Sequence, residues 1–126
     1  MNAPTITFSC GIPILRIFSE EKAKEFYVEY LGFHIDWEHR FEPGTPLYLQ
    51  VSRGGLVLHL SEHHGDAVPG AGIYIELTGL DSFFAELEAK HYRYQRPEIH
   101  STDWGTRIMT VTDPFGNRIR FNEPIV

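Results

Sequence analysis

The sequence predicts an α+β fold of two βαβββ modules, and three observations carry that prediction. Two stretches repeat apolar residues at helical spacing, and short alternating or β-branched runs flank each. The candidate helix caps, Ser19 and Asp81, stand about 60 residues apart, so the two halves repeat in element order. A polar, glycine-rich segment, EHHGDAVPGAG, separates them. The expected organisation is one domain over 1–126, with module one at about 10–62 and module two at about 71–124.

CGIPILRI is β-branched and apolar and reads as the first strand, ending at Ile17. Pro13 cannot donate to a ladder, so it marks where this strand enters or leaves its pairing. Ser19 caps the following helix, with Glu20 and Glu21 in the first turn, where the helix dipole favours negative charge. Ala23, Phe26, Tyr27, Tyr30 and Leu31 form its apolar face, and Gly32 stops it. FHIDWEHR, PLYLQVS and GLVLHLS follow as strands, the last two joined through Arg53, Gly54 and Gly55 in a tight hairpin. GIYIELT opens the second half. Asp81 is the expected cap of a helix whose apolar face is Phe83, Phe84 and Leu87. Glu98 to Ser101 forms a short strand, and GTRIMTVTD and NRIRFNE are strands joined by the turn DPFGN.

The chain has 126 residues, 42% hydrophobic and 13% aromatic, the composition of a folded protein and not of a disordered one. A formal net charge of -6 argues against nucleic acid and anionic membranes as partners. The single cysteine, Cys10, excludes an internal disulfide and fits a reducing compartment; its apolar neighbours make a packed thiol the expectation. MNAPTITF lacks the basic and apolar regions of a signal peptide, and no apolar run approaches the ~20 residues of a membrane span. The expected location is the cytoplasm.

LVLHLSEHHG places His59, Glu62, His63 and His64 within six positions, and these are ligand types for zinc, iron and manganese. Strand alternation, however, sets Val57, His59 and Ser61 on one face and Leu56, Leu58 and Leu60 on the other. His59 then points into a cleft, whereas Glu62, His63 and His64 fall in a solvated loop. The same alternation turns Tyr74 and Glu76, and Arg118, Arg120 and Asn122, toward the cleft. Trp37, Phe41 and Trp104 add flat surfaces. Aromatic planes near carboxylates suit a flat or cationic guest. Tyr74 has a second reading as a core residue, and Trp37 as a dimer-interface anchor. A curved sheet with one helix across its back needs a partner for its other face, supplied by the second module or by a second chain. His39, His91 and His100 are scattered, and neither a GxSxG elbow nor a phosphate-binding glycine loop is present.

GIPILRI at the start, FYVEYLGF closing the first helix and VTDPFGNRIRFNE at the end resemble the vicinal oxygen chelate superfamily, over about Gly11 to Glu123. That superfamily includes glyoxalase I, extradiol dioxygenases, fosfomycin-resistance enzymes and bleomycin-resistance proteins. IPIL, LGFHIDW, LVLHLSEH, IYIELTGLDSF and DWGTRIMTVTDPFGNRIRF look most like the last of these. The resemblance implies paired βαβββ modules with curved mixed sheets. It also implies a homodimer with clefts between subunits and an N-terminal segment crossing to the partner. In the metal enzymes of the superfamily four strand positions carry ligands; the matching positions here are Ile12, His59, Gly72 and Arg120, of which only His59 can bind a metal. The expectation is therefore no metal, no cofactor and no catalytic residue. The ligand-binding set implied is Asp36, Trp37, Phe41, His59, Tyr74, Glu76 and Trp104. The implied function is non-catalytic sequestration of a small molecule, a bleomycin-like cationic glycopeptide. Arg118 and Arg120 depart from a cleft built for a cation. The alternatives are a metal-dependent enzyme of glyoxalase or dioxygenase type, metal-free acid–base chemistry by His59 with Glu76, and a scaffold that uses the fold for protein contacts.

Overall fold

The structure, a computed structural model, describes residues 3–125. Among them the elements run β1 (Ile14–Arg16), α1 (Glu20–Lys24), β2 (His34–His39), β3 (Tyr48–Arg53) and β4 (Leu56–Ser61). The second half repeats this order with β5 (Gly72–Glu76), α2 (Leu80–Ala89), β6 (Ile99–Ser101), β7 (Thr106–Thr112) and β8 (Arg118–Pro124). Each half forms a four-stranded sheet, β1-β4-β3-β2 and β5-β8-β7-β6, with β1–β4 and β5–β8 parallel and the rest antiparallel. The predicted α+β fold of two βαβββ modules is present. No described helix is long and apolar enough to cross a membrane.

β1 is shorter than the run CGIPILRI. It begins directly after Pro13, whose carbonyl accepts from His59 N at 2.9 Å although it has no N–H to offer in return. Residues 3–13 precede it without strand pairing, and Cys10 on this segment is exposed. The packed thiol expected from its apolar neighbours is corrected: Ile12 and Ile14 are themselves partly exposed and leave nothing to bury it.

Ser19 caps α1 as expected, its Oγ accepting from Lys22 N at 3.1 Å. The helix then widens into a π-helical segment, Glu25–Tyr30, with Leu31 N bonding to Phe26 O five residues back. Phe26, Tyr27 and Tyr30 are buried there, with ring centroids 5.0 Å apart for Phe26–Tyr27 and 5.7 Å for Phe26–Tyr30. Gly32, at φ +77°, ends the helix. The β3–β4 hairpin turns through Gly54 and Gly55, both at positive φ, which is what a tight two-residue turn demands.

Asp81 does not cap α2. The N-cap is Gly79, and Glu123 on β8 supplies the acceptor, its Oε2 taking Gly79 N at 2.6 Å and Leu80 N at 3.2 Å. Asp81 sits in the first turn and holds Arg107 in a bidentate pair instead. Glu123→Ala is expected to cost about 1 kcal/mol, the usual worth of a cap. Urea denaturation measures it, and Asp81→Ala should cost less.

Both helices and one face of each sheet enclose a common core that includes Leu15, Phe26, Tyr27, Leu49, Leu58, Leu60, Met109, Val111 and Ile119. Each such side chain contributes roughly 1.5–3 kcal/mol by leaving water. Polar joints bind the modules. Tyr27 Oη donates to Asp113 at 2.6 Å, and Asn117 Nδ2 donates to Arg16 O at 2.9 Å. Lys90 Nζ donates to the carbonyls of Glu29 and Tyr30 at the end of the π segment. Arg53 pairs with Glu86 at 2.7 and 2.8 Å.

The Arg53 hydrogen bond holds the Glu86 carboxyl below its ordinary 4.5, against an opposing push from partial burial. A depressed carboxyl stabilises the fold above its unfolded pKa, and that contribution is lost as pH falls through the folded one. The pair is partly solvated, so the coupling should stay under about 1 kcal/mol at neutral pH. A double-mutant cycle on Arg53→Met and Glu86→Gln should show it at pH 7 and find it shrinking as the pH falls below the ordinary carboxyl value.

Candidate ligand-binding face

The helices cover one face of each sheet and leave the other open. Register sets Trp37 opposite Gln50, Gln50 opposite His59 and His59 opposite Ile14, so these side chains share the open face of the first sheet. Tyr48, paired with His39 and Ser61, shares it as well. Behind them Leu49, Val51, Leu58 and Leu60 are buried in the core.

β2 carries a bulge between Ile35 and Trp37, which leaves Asp36 without a ladder partner. Regular alternation would send Asp36 and Trp37 to opposite faces. With the extra residue, Asp36 reaches the open face alongside Trp37 and accepts from Gln50 Nε2 at 3.0 Å and Ser52 Oγ at 2.9 Å. These two hydrogen bonds hold its carboxyl below the ordinary 3.8.

A directional chain of hydrogen bonds follows. Gln50 donates to Asp36 through its nitrogen, so its Oε1 is left to accept from His59 Nε2 at 3.0 Å. His59 then carries its proton on Nε2, and Nδ1 accepts from Tyr48 Oη at 2.7 Å. Trp37 lies parallel to Tyr48, centroids 6.0 Å apart at 9°, and meets the His59 ring edge-on at 5.4 Å. The result is a rigid aromatic platform with a carboxylate at its end. Trp37 is 42% exposed, so its ring stays open to a guest.

The other expected site residues stand elsewhere. Phe41 is 77% exposed beyond the end of β2 and touches His39 and His63 edge-on. Tyr74, 51% exposed, and Glu76 lie on the open face of the second sheet. The core reading of Tyr74 is excluded. Trp104, 67% exposed, sits in the turn before β7. Asn122 shares the face of Glu76 by register but is buried, with no partner for Oδ1 among the described residues. The structure brings Asp36, Trp37 and His59 together; Tyr74, Glu76 and Trp104 belong to the other sheet. Tyr48 and Gln50, which were not singled out from sequence, complete the platform. Their signal was the alternation of PLYLQVS opposite His59.

The superfamily's metal positions do not fit a metal here. Ile12 offers no ligand, both His59 ring nitrogens are already bonded, and Arg120 Nη1 reaches to 3.3 Å from where a Gly72 Cβ would stand. Glu62 is tied to the residue before β3, taking Leu47 N on Oε1 at 2.9 Å, while His64 is exposed. Among the described residues no group of three or more His, Cys, Asp or Glu side chains converges.

A family model described as "Glyoxalase superfamily protein" matches residues 2–125. The chain belongs to the glyoxalase superfamily. Solved structures of similar fold include the bleomycin-binding protein of bleomycin-producing Streptomyces verticillus in complex with copper(II)-bleomycin. It is 27% identical, covers 93% of this chain and 97% of its own, and gives a TM-score of 0.69. An antibiotic-binding protein from a Streptomyces species is 26% identical, with 95% and 99% covered and a TM-score of 0.70. A glyoxalase-related enzyme from Clostridium phytofermentans, at 19% identity, 95% and 98% coverage and a TM-score of 0.73, shares the fold. Among curated protein sequences none matches.

Proposed function

We propose that this member of the glyoxalase superfamily is a non-catalytic small-molecule binding protein of the bleomycin-resistance type, which sequesters a drug-like guest in a cleft of a homodimer. The observation that carries the reading is the preorganised platform of Trp37, Tyr48 and His59, ending on the Asp36 carboxylate. A flat heteroaromatic arm stacks on Trp37, a cationic tail pairs with Asp36, and Phe41 lies at the margin. Tyr74, Glu76 and Trp104 line the second wall.

What one chain leaves bare supports the homodimer. Both sheets present an open face, and Ile6 and Phe8 on the unpaired N-terminal segment are 83% and 93% exposed. Crossing to a second copy buries those side chains and sets the first sheet of one chain opposite the second sheet of the other. The single domain, with modules at about 10–62 and 71–124, is then the unit that pairs. A cytoplasmic location fits the lone free thiol.

Titration with metal-free bleomycin, followed by tryptophan fluorescence, tests the reading, since the chain has only Trp37 and Trp104. A saturable change at about micromolar drug is expected; its absence would exclude bleomycin as the guest. Sedimentation at the same concentration should show a dimer.

A further inference from the structure

Arg118 and Arg120 stand two residues apart on β8 and project from the face opposite buried Ile119 and Phe121. Register places Arg120 beside Tyr74, and Arg118 beside Gly72. The Arg120 guanidinium crosses toward Gly72 and fills space that any side chain there would take, since its Nη1 lies 3.3 Å from the position of a Gly72 Cβ. That direction carries it toward the row where Arg118 stands, on the same strip of the open face.

Among the described residues no side-chain hydrogen bond or ion pair engages Arg118 or Arg120, whereas Arg53 and Arg107 sit in bidentate carboxylate pairs and Arg40 reaches Glu20. Carboxylates are not scarce, since the chain has 17 acidic against 11 basic residues. Glu76, one row further along the same face, forms no salt bridge with either arginine. Two guanidiniums on one face of β8, neither held by a carboxylate among the described residues, flank a half-exposed tyrosine and present N–H donors in planar forks, the geometry that recognises an oxyanion.

We propose that this strip is an oxyanion subsite. It takes a carboxylate, sulfonate or phosphate group of a guest whose flat part lies against Tyr74. The inference rests on the reading of the open faces as a guest-binding cleft and extends it: the guest is an aromatic molecule that carries a negative group, and a purely cationic drug leaves this wall unused.

Two fluorescent probes with one aryl skeleton test it: 8-anilinonaphthalene-1-sulfonate, which is anionic, and N-phenyl-1-naphthylamine, which is neutral. The full chain should bind the sulfonate at least tenfold more tightly. The double variant Arg118→Gln/Arg120→Gln should erase that difference while leaving the neutral probe's affinity unchanged, and the Lys/Lys variant should restore most of it. Inorganic phosphate and benzoate, added separately, should displace the sulfonate from the unaltered protein but not from the Gln/Gln variant; the more effective competitor identifies the preferred oxyanion. Equal affinity for both probes, or sulfonate binding insensitive to the Gln/Gln change, would overturn the subsite. If Trp37→Ala weakens both probes in that case, the cleft reading survives alone. If neither probe binds, both fall. Near-ultraviolet circular dichroism confirms that each variant is folded.

Discussion

Asp113→Ala is expected to destabilise the protein by about 3–4 kcal/mol, more than any other single polar substitution argued for this chain. Its carboxylate is buried and accepts four hydrogen bonds: Tyr27 Oη at 2.6 Å, Phe115 N at 2.9 Å, and Asn117 N and Nδ2 at 2.8 Å each. Burial, and then the Asp113 charge, push the Tyr27 hydroxyl well above its usual pKa, so it remains the donor. Removing the carboxylate strands that hydroxyl inside the core. It also frees Asn117, whose side chain holds Arg16 O and Ala71 N. The effect therefore spreads across the joint between the modules. Tyr27→Phe removes one of the four donors and should cost about 1 kcal/mol. Urea denaturation of both variants checks the pair; equal costs would mean that Asp113 acts only through Tyr27.

Trp37→Ala is expected to weaken a planar guest by about 30-fold, close to 2 kcal/mol, the scale of an aromatic hot spot. The ring is held parallel to Tyr48 and against His59 before any guest arrives, so little ordering cost remains for binding. The ring is partly exposed, so stability should fall by no more than about 1 kcal/mol. Calorimetric titration with bleomycin reads the affinity. Unchanged affinity would remove Trp37 from the contact set and return it to the role of an interface anchor. Trp104→Phe leaves Trp37 as the sole tryptophan and assigns the signal.

The central strands were legible because alternation holds in them. Leu58 and Leu60 inward with His59 outward is a pattern that only one register satisfies. Ser19 was legible as a cap because its acceptor serves a donor three residues away. Asp81 was misread for the opposite reason: the acceptor for α2 lies on β8, 44 residues from Gly79, where no local pattern reports it. The π-helical turn leaves no mark in the residue order, since Phe26, Tyr27, Tyr30 and Leu31 suit the buried face of either helix. The bulge at Asp36 is likewise invisible to a period of two. Asp36 and Trp37 were both named through family likeness, and the bulge is the physical reason that both reach one face. The polar chain through Gln50 and Tyr48 needed coordinates, because direction and distance, not residue type, make it a network.

The remote cap of α2 has a consequence for the order of assembly. α1 carries its own cap, three residues from the donor it serves. α2 must wait for Glu123, 44 residues beyond Gly79, before Gly79 and Leu80 find their acceptor. The start of α2 is therefore completed only when β8 docks beside β5, so that helix terminus and that sheet close in one step.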